Sequence, residues 1–347
     1  MIGGGVSHRN NDAATRGQIL RPPSQSGISG TTTLIILRRI TMTAVQANSV
    51  PTSTADPLAD LYADWTELMT SDPEMGMRLL RSLFEEWHQA TSEPTAVTYR
   101  EDTLGGVPGI WVTPIGADPA KVILYTHGGG FAVGSAASHR KIAGHLAKEL
   151  GTTAFVLDYR RAPEHSHPAQ VEDGVSVFRA LLDNGIAAED IVTAGDSAGG
   201  NLAIAIPLAL RQAGDPMPGR VIAFSPWLDM EITGTTLESN RSTDNLVHAD
   251  LLRGMAAGVL GDAVSPTAPL ANPLYADFTG YPRLYVNASN GETLLDNTTR
   301  LVDRVRSAGV DVTVSLIDDA QHVFPMAAGR DPRADAELSR IGEWFRR

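Results

Sequence analysis

Runs typical of strands alternate with amphipathic helical segments over most of the chain, and this alternation constrains the fold more than any other feature. Six runs are predicted as strands: Val122–His127, Thr153–Tyr159, Ile191–Ala194, Val221–Ser225, Leu284–Ala288 and Val312–Ile317. Five helical patterns lie between or after them: His139–Leu150, Val171–Asn184, Gly199–Arg211, Thr293–Ala308 and Ala334–Phe345. Such alternation predicts an α/β protein with a mostly parallel sheet and helices on both faces.

Helices are also predicted before the first strand and inside the longest interruption, between Trp227 and Pro282. Asp56-Pro57 and Asp72-Pro73 each read as an N-cap followed by proline at the first helical position. Apolar residues recur at helical spacing after both pairs: Leu58, Leu61, Trp65 and Leu68, then Leu80, Leu83, Phe84 and Trp87. In the interruption, Asp250 is the predicted N-cap of a short helix with one apolar face: Leu252, Met255 and Val259.

Composition excludes several classes of function. The chain has no cysteine, so disulfides, thiolate metal sites and a cysteine nucleophile are all ruled out. A net charge of −12 argues against binding to a nucleic-acid backbone, which needs clustered cations. No apolar stretch approaches the roughly 20 residues of a membrane-spanning helix.

Residues 1–41 differ from the rest of the chain in charge. They carry five arginines against one acid, a net charge of +4, whereas the remainder carries −16. Their content of Gly, Ser, Thr and Asn predicts a disordered extension. We interpret it as the product of an upstream start codon, with Met42 as the working initiator; an organelle transit peptide is the alternative. With no export signal, we expect the protein in the cytoplasm.

A glycine-flanked serine lies at one predicted junction between strand and helix. The segment Gly195-Asp196-Ser197-Ala198-Gly199 follows the strand Ile191–Ala194 and precedes a helical pattern. The two flanking glycines would let the backbone turn sharply and hold the serine hydroxyl above the sheet edge in a strained conformation. The helix N-terminus would favour negative charge nearby. The junction therefore predicts Ser197 as a nucleophile, the alternative being a structural glycine-rich turn.

Three consecutive glycines, Gly128–Gly130, follow His127 at the end of the first predicted strand. Glycines there cost backbone entropy, but they provide main-chain N–H groups that a ligand can approach closely. Together with the N–H of Ala198, they could form an oxyanion hole for a tetrahedral intermediate. A mobile loop or a phosphate-binding nest is the alternative, although no accompanying nucleotide-binding motif is present.

A serine nucleophile needs a base, and His322 is the histidine whose position fits. It lies directly after the last predicted strand and before the last helix, so it can reach the serine across the sheet edge. His165 and His167 flank Ser166 and would suit a metal, but no carboxylate cluster with ligand spacing accompanies them. We therefore predict neither a metal nor another cofactor.

Two carboxylates compete to orient the histidine. In sheets with this serine turn, the acid comes between the serine and the histidine in the chain, at the end of a strand. Glu292 lies on the loop after the strand Leu284–Ala288, whereas Asp296 lies one turn into the next helix. We prefer Glu292 on its loop position, and Asp296 stays the alternative.

Three segments together resemble one known family. His127–Gly130, the segment 195–200 and Asp158–His165 resemble motifs of the hormone-sensitive lipase-like branch of α/β hydrolases, which contains many microbial carboxylesterases and lipases. The resemblance extends from about Asp56 to the C-terminus. It implies the α/β-hydrolase fold for residues 42–347.

The resemblance also implies site residues. Ser197 would be the nucleophile, His322 the base, and Gly129, Gly130 and Ala198 the oxyanion donors, with Gly128 shaping the turn. The acid loop of the family usually reads Asp-Pro-Leu-x-Asp, and Glu292-Thr293-Leu294-Leu295-Asp296 aligns with it. This alignment puts Glu where Asp is more common, which supports Glu292 and leaves Asp296 open. Arg161 stands where a leucine is usual.

The resemblance finally implies a helical cap, built from about residues 55–92 and part of 228–275, over a catalytic serine. We expect hydrolysis of short to medium acyl esters through an acyl-enzyme intermediate. A lactone hydrolase or an amidase would use the same machinery, and a catalytically silent ligand-binding receptor is the contrasting hypothesis, which would lack the base. The expected partner is a small ester, without nucleic acid or a membrane span, and the chain could act as a monomer or a homodimer.

Overall fold

Eight strands form one sheet in the computed structural model, which describes residues 56–347 of the chain. The strands are β1 (Val97–Leu104), β2 (Val107–Pro114), β3 (Asp118–Thr126), β4 (Thr152–Leu157), β5 (Ile191–Asp196), β6 (Arg220–Phe224), β7 (Arg283–Ser289) and β8 (Val312–Ile317). Their order across the sheet is β1-β2-β4-β3-β5-β6-β7-β8. Strand β2 runs antiparallel to β1 and β4, and all other neighbours are parallel.

Nine α-helices accompany these strands within the described residues. They are α1 (Pro57–Ser71), α2 (Met77–Glu85), α3 (Ala136–Leu150), α4 (Ala169–Asp183), α5 (Ala198–Ala213), α6 (Thr236–Ser239), α7 (Ala249–Leu260), α8 (Leu295–Ser307) and α9 (Pro332–Arg346). The central strands β4 and β5 are buried along their whole length. A strand buried at every residue has both of its faces covered, so the helices pack on both sides of the sheet.

The predicted alternation is confirmed. The six predicted strands are β3 to β8, and the five predicted helices are α3, α4, α5, α8 and α9. Because strands β3 to β8 are parallel, their carboxyl ends meet at one edge of the sheet, where the connecting loops can converge on a single site.

The hairpin β1–β2 was not predicted. Gly105 and Gly106, at φ of 60° and 81°, make its two-residue turn, and Leu104 pairs with Val107 across it. A Gly-Gly pair between two runs is a hairpin signal. The polar sequence of β1 obscured that signal, since this strand lies at the edge of the sheet and is half exposed.

The predicted N-cap of α1 is confirmed, and two others were wrong. The Asp56 carboxylate accepts a hydrogen bond of 2.9 Å from the Leu58 N–H. Asp72 instead ends α1, since its own N–H bonds back to Leu68, and α2 begins only after Gly76. Helix α7 is capped by His248 rather than by Asp250, because the His248 Nδ1 accepts from the Leu251 N–H at 3.2 Å.

The apolar faces of the first two helices also need one correction. In α1 the buried side chains include Tyr62 in addition to the predicted Trp65, whereas Leu68 is 48% exposed. The predicted extension 1–41 and Met42 lie outside the described residues. Within residues 56–347, no helix combines the length and the apolar character needed to cross a membrane.

Candidate active site

Ser197 occupies the tight turn between β5 and α5 with a backbone conformation that side chains rarely adopt. Its φ is 53° and its ψ is −118°. Three hydrogen bonds hold it there: its N–H donates to the Phe224 carbonyl at 2.9 Å, and its carbonyl accepts from the N–H groups of Trp227 at 3.0 Å and Asn201 at 3.1 Å. Strain of this kind persists only where the surroundings fix it, and it is concentrated at functional sites. The strained serine is therefore where the sequence predicted it.

The glycines beside Ser197 serve a different purpose from the expected one. Gly195 and Gly199 are absent from the residues at positive φ. A Cβ on Gly195 would overlap the side chain of Thr126, and a Cβ on Gly199 would overlap the carbonyl oxygens of Thr126 and His127. The glycines are needed because the turn packs directly against the end of β3, and Ser197 itself takes the unusual backbone angle.

The glycine loop after β3 presents free N–H groups. Gly129 and Gly130 have φ of 108° and 59°, and neither N–H donates a hydrogen bond to the described part of the chain. Ala198 is the first residue of α5, where the N–H groups have no acceptor within the helix. The Gly128 N–H, in contrast, is engaged with the Asp196 carboxylate at 3.2 Å. The arrangement leaves the N–H groups of three residues available as donors and anchors Gly128.

Asp196 ties this loop to the nucleophile turn. Its Oδ1 accepts from the Tyr125 hydroxyl at 2.8 Å as well as from Gly128, and its Oδ2 lies 3.3 Å from His139 Nε2. Burial would raise the pKa of this carboxyl, but His139 and the hydrogen bond from Tyr125 outweigh burial and lower it. An anionic Asp196 therefore anchors the first glycine of the loop.

Two arginines hold the far end of the same loop. Arg161 donates a hydrogen bond of 2.6 Å to the Gly134 carbonyl. Arg81, on α2, donates from Nε to the Ala132 carbonyl at 2.9 Å and pairs with Glu164 at 2.6 Å. Arg161 thus supports the glycine loop, a role that the sequence did not indicate.

His322 and Glu292 are brought together in the interior. His322 is 1% exposed and Glu292 is fully buried, and the His322 Nδ1 lies 3.7 Å from the Glu292 Oε1. This is an ion-pair separation, longer than a hydrogen bond. The other oxygen of Glu292, Oε2, accepts from the Ser225 hydroxyl at 2.7 Å and from the Ser289 N–H at 3.1 Å. Glu292 therefore presents Oε1 to the imidazole.

The surroundings of His322 change its proton affinity. Burial alone would lower its pKa, but the Glu292 carboxylate, with further contributions from Asp244 and Asp196, raises the pKa above its ordinary value of 6.5. A carboxylate beside a buried imidazole stabilises the protonated form. The site thus favours a histidine that readily takes up a proton.

The alternative acid, Asp296, points into a different set of contacts. It pairs with Arg300 at 3.2 Å and receives a hydrogen bond of 3.5 Å from the Thr235 hydroxyl. Its partners lie on α8 and at the start of α6. Of the two carboxylates, the structure brings only Glu292 to His322.

Ser197 and His322 line one small cavity together with Gly129 and Gly130. Its volume is about 30 Å³. The rest of its wall is apolar and comes from the predicted cap segments and the loop after β6: Phe84, Trp87, Trp227, Leu246, Val247, Leu251, Leu252 and Met255. The sheet edge thus supplies the polar groups, and the segments packed over it supply the apolar wall.

Four other histidines do not line this cavity. His127 is fully buried and stacked on Tyr159 at 4.1 Å, and burial lowers its pKa to about 3. His139 faces Asp196, as described above. His165 and His167 lie on the loop before α4. Across residues 56–347, no three histidine, aspartate or glutamate side chains are placed to hold a metal ion.

The chain matches known proteins over most of its length. Residues 123–326 match a family described as the α/β-hydrolase fold. An acetyl-hydrolase of Streptomyces hygroscopicus is 35% identical over 272 residues, which are 73% of this chain and 90% of that protein. An esterase of Acinetobacter venetianus is 32% identical over 265 residues, which cover 76% of this chain and 87% of the relative.

Solved structures of esterases are also similar to this chain. The structure of an esterase from the bacterial hormone-sensitive lipase family has a TM-score of 0.79 and 37% identity, covering 84% of this chain and 98% of that one. The chain belongs to the hormone-sensitive lipase-like branch of the α/β hydrolases. EstE5, whose crystal was soaked with p-nitrophenyl butyrate, has a TM-score of 0.78 and 32% identity to this hydrolase, covering 84% and 98% of the two chains.

Three residues that contact the site of this hydrolase were missed from the sequence. Asp196 and Ser225 each follow a buried run of strand, and a polar residue at the carboxyl end of a parallel strand is a signal that could have found both. Asp244 gave no such signal, since it lies in the long interruption. Its carboxylate accepts from the N–H and the hydroxyl of Thr293, both at 2.9 Å, beside Glu292.

Proposed function

We propose that this α/β hydrolase cleaves short to medium acyl esters with Ser197 as nucleophile, His322 as general base and Glu292 as the acid that orients the histidine. Carboxylic ester hydrolysis itself is the activity of its family. One observation carries the assignment of residues: a strained serine, two glycine N–H groups without acceptors among residues 56–347 and a buried histidine paired with a carboxylate all meet at one cavity.

The proposed reaction uses the usual two half-reactions of a serine hydrolase. Ser197 Oγ attacks the ester carbonyl carbon while His322 Nε2 takes the hydroxyl proton. The tetrahedral intermediate then collapses, the alcohol leaves with the proton from His322, and an ester to Ser197 is left. Water, activated by His322, hydrolyses this acyl-enzyme. Glu292 holds the neutral imidazole in the tautomer that accepts the proton at Nε2, and it stabilises the imidazolium that forms.

Stabilisation of the intermediate falls to backbone groups in this proposal. The N–H groups of Gly129, Gly130 and Ala198 surround the position of the developing oxyanion, and each such donor typically contributes on the order of 3 kcal/mol to transition-state binding. Asp196 keeps these donors in place through Gly128. The donors are preorganised, so the loop need not rearrange when charge develops.

Two of the similar proteins support short to medium acyl groups: one is named an acetyl-hydrolase, and EstE5 was soaked with p-nitrophenyl butyrate. The apolar wall close to Ser197 suits the acyl chain of such an ester. We further propose a cytoplasmic location; a homodimer stays a prediction.

Hydrolysis of p-nitrophenyl acetate, butyrate and octanoate by the wild type and by Ser197→Ala tests the proposal. We expect the variant to lose at least about ten-thousandfold in kcat, because only transition-state binding then remains. Phenylmethylsulfonyl fluoride should sulfonylate Ser197 with loss of hydrogen fluoride, so that the peptide containing residue 197 gains a phenylmethylsulfonyl group in the wild type alone. A lactone and an anilide assayed in parallel would show whether cyclic esters or amides are also cleaved.

Ser307→Ala is the matched control. Ser307 is an exposed serine at the end of α8, whose hydroxyl bonds only to the Asp303 carbonyl. It should retain wild-type rates. Equal activity in wild type and Ser197→Ala would overturn the assignment, and an inactive wild type that still binds the esters would favour the receptor.

A further inference from the structure

The main chain of His322 is held from two sides. The Tyr62 hydroxyl, on α1, donates a hydrogen bond of 3.1 Å to the His322 carbonyl. At the other end of the same peptide group, the Val323 N–H donates to the Ser225 hydroxyl oxygen at 3.1 Å. The carbonyl and the N–H point in opposite directions, because the group is planar and trans. Helix α1 and the loop after β6 thus fix the two ends of one peptide.

The residue that follows this peptide has a strained backbone. Val323 has a φ of 56° and a ψ of 43°, in the left-handed region. A β-branched side chain is rarely found there, because its Cβ comes too close to the following carbonyl oxygen. Such a conformation persists only where the surroundings impose it. The hydrogen bonds from Tyr62 and to Ser225 are contacts of this kind.

The imidazole of His322 depends on its main chain for its position. Neither Nδ1 nor Nε2 has a hydrogen-bond partner within residues 56–347, and the Glu292 carboxylate lies 3.7 Å from Nδ1. A side chain without such a bond is oriented by packing and by the direction of its Cα–Cβ bond. A misplacement of about 1 Å in a reacting group can cost about a hundredfold in rate. The peptide after His322 is therefore a sensitive point of the site.

The Tyr62 hydroxyl is itself fixed by a neighbour. The Trp87 indole N–H donates to its oxygen at 2.9 Å, which leaves the hydroxyl proton for the His322 carbonyl. Tyr62 is fully buried, and burial raises the pKa of its hydroxyl well above the ordinary value, so the group stays a donor. Trp87 lines the cavity that contains Ser197. Two hydrogen bonds thus run from the wall of this cavity to the main chain of His322.

Packing alone does not require a tyrosine at position 62. Its ring contacts those of Trp65 and Trp87, with centroids 5.8 and 6.3 Å away. Phenylalanine would make the same contacts, and a buried hydroxyl costs free energy unless it is hydrogen-bonded. What the hydroxyl adds is the pair of bonds to Trp87 and His322.

We propose that Tyr62 is a positioning residue for ester hydrolysis: its hydroxyl fixes the peptide between His322 and Val323 and so keeps the imidazole in place for Ser197. This inference rests on the proposed roles of Ser197 and His322. Tyr62 does not line the cavity, so it acts through His322 rather than on the substrate. The loops of the sheet supply one of the two bonds on this peptide, and α1 supplies the other.

Tyr62→Phe removes the hydroxyl and keeps the ring. We expect kcat for p-nitrophenyl butyrate to fall about three- to tenfold, as is typical for the loss of one neutral hydrogen bond. KM should stay within about twofold, because the cavity wall is unchanged. Hydrogen exchange measured by mass spectrometry should be faster than in the wild type for the peptide that contains His322 and Val323. A raised KM with unchanged kcat would contradict the proposal.

Tyr281→Phe is the matched control. Tyr281 is also a buried tyrosine whose hydroxyl donates to a main-chain carbonyl, that of Ile204, at 2.9 Å. It does not line the cavity at Ser197. This variant loses the same kind of bond, yet its kcat and the exchange of the His322 peptide should equal those of the wild type. If Tyr281→Phe loses as much kcat as Tyr62→Phe, the loss reflects general destabilisation and the proposal is wrong.

A double variant answers the question if Tyr62→Phe does not fold. The single substitution leaves the Trp87 N–H without an acceptor, whereas Tyr62→Phe/Trp87→Phe removes both partners of that bond, which costs less stability. Trp87→Phe alone is the reference, because it carries any change in the cavity wall. The kcat of the double variant should be about three- to tenfold below that of Trp87→Phe. Equal values would overturn the proposal.

These outcomes separate the two proposals. If Tyr62→Phe keeps the kcat of the wild type while Ser197→Ala is inactive, Tyr62 does not position the base, and the assignment of the nucleophile stands. If Ser197→Ala keeps full activity, both proposals fail together.

Discussion

The hydroxyl of Ser225 donates a hydrogen bond of 2.7 Å to Glu292 Oε2. The Ser225 hydroxyl oxygen in turn accepts a hydrogen bond of 3.1 Å from the N–H of Val323, the residue directly after His322. Ser225 is fully buried and follows β6, the neighbour of β7 in the sheet. One hydroxyl thereby links the loop of the proposed acid to the loop of the proposed base.

Ser225→Ala should therefore slow catalysis without weakening substrate binding. A hydrogen bond to a charged group is worth about 1.5 to 3 kcal/mol, so we expect kcat for p-nitrophenyl butyrate to fall about ten- to a hundredfold. KM should stay within about twofold, since Ser225 does not line the cavity at Ser197. Ser307→Ala again serves as control. A variant with raised KM and unchanged kcat would show that Ser225 shapes the pocket rather than positioning Glu292.

Glu292→Gln and Asp296→Asn distinguish the two carboxylates. Glu292→Gln keeps the size of the side chain but removes the charge beside His322, and kcat should fall about a thousand- to ten-thousandfold, as expected when the orienting acid is neutralised. Asp296→Asn should stay within about threefold of the wild type, because Asp296 contacts Arg300 and Thr235 instead. Steady-state kinetics on the butyrate ester measures both. The reverse order of losses would transfer the role to Asp296.

The sheet and the main site residues could be predicted because their signals are local. Each strand of β3 to β8 is a short apolar run next to a helical pattern, and the carboxyl ends of parallel strands meet at one edge. A glycine-flanked serine after β5 and a histidine after β8 therefore come together whatever the details of packing. Glu292 followed from the same rule applied to β7.

The other features of the site depend on contacts between residues far apart in sequence, which no local pattern encodes. Met255 reaches Gly130 only because α7 packs over the glycine loop, more than a hundred residues away in sequence. Ser225 links two loops because it contacts Glu292 after β7 and Val323 after β8. The sequence predicted that Gly195 and Gly199 allow a sharp turn, and this explanation was wrong. They are needed because they pack closely on Thr126, which a turn motif does not reveal. Tertiary packing decided each of these points.

The pH dependence of the wild type should reflect the raised pKa of His322. A general base must be neutral, so kcat/KM falls when the pH drops through this pKa. Burial lowers the pKa, but Glu292, Asp244 and Asp196 raise it above 6.5 on balance, and the acid limb should have its midpoint above pH 6.5. Asp244→Asn should move the midpoint to lower pH, and Glu292→Gln should move it further. If the acid limb of kcat/KM for the wild type has its midpoint below pH 6.5, the pKa of His322 is not raised and this prediction is wrong.

Asp196→Ala should destabilise the fold as well as slow the reaction. The substitution leaves the Tyr125 hydroxyl, the Gly128 N–H and His139 without their acceptor in a fully buried site. Removing one partner of such a pair typically costs about 3 to 5 kcal/mol of unfolding free energy. Asp196→Asn keeps one acceptor oxygen for Tyr125 and Gly128, so it should lose less than the alanine variant.

Urea denaturation of both variants measures this effect, with Asp262→Ala, an exposed aspartate after α7, as the control. In folded Asp196→Ala, kcat should also fall, because the glycine donors lose the anchor that holds Gly128. Ordinary surface substitutions change the free energy of unfolding by no more than about 0.5 kcal/mol. If Asp196→Ala changes it by no more than this, the glycine loop holds its shape without Asp196.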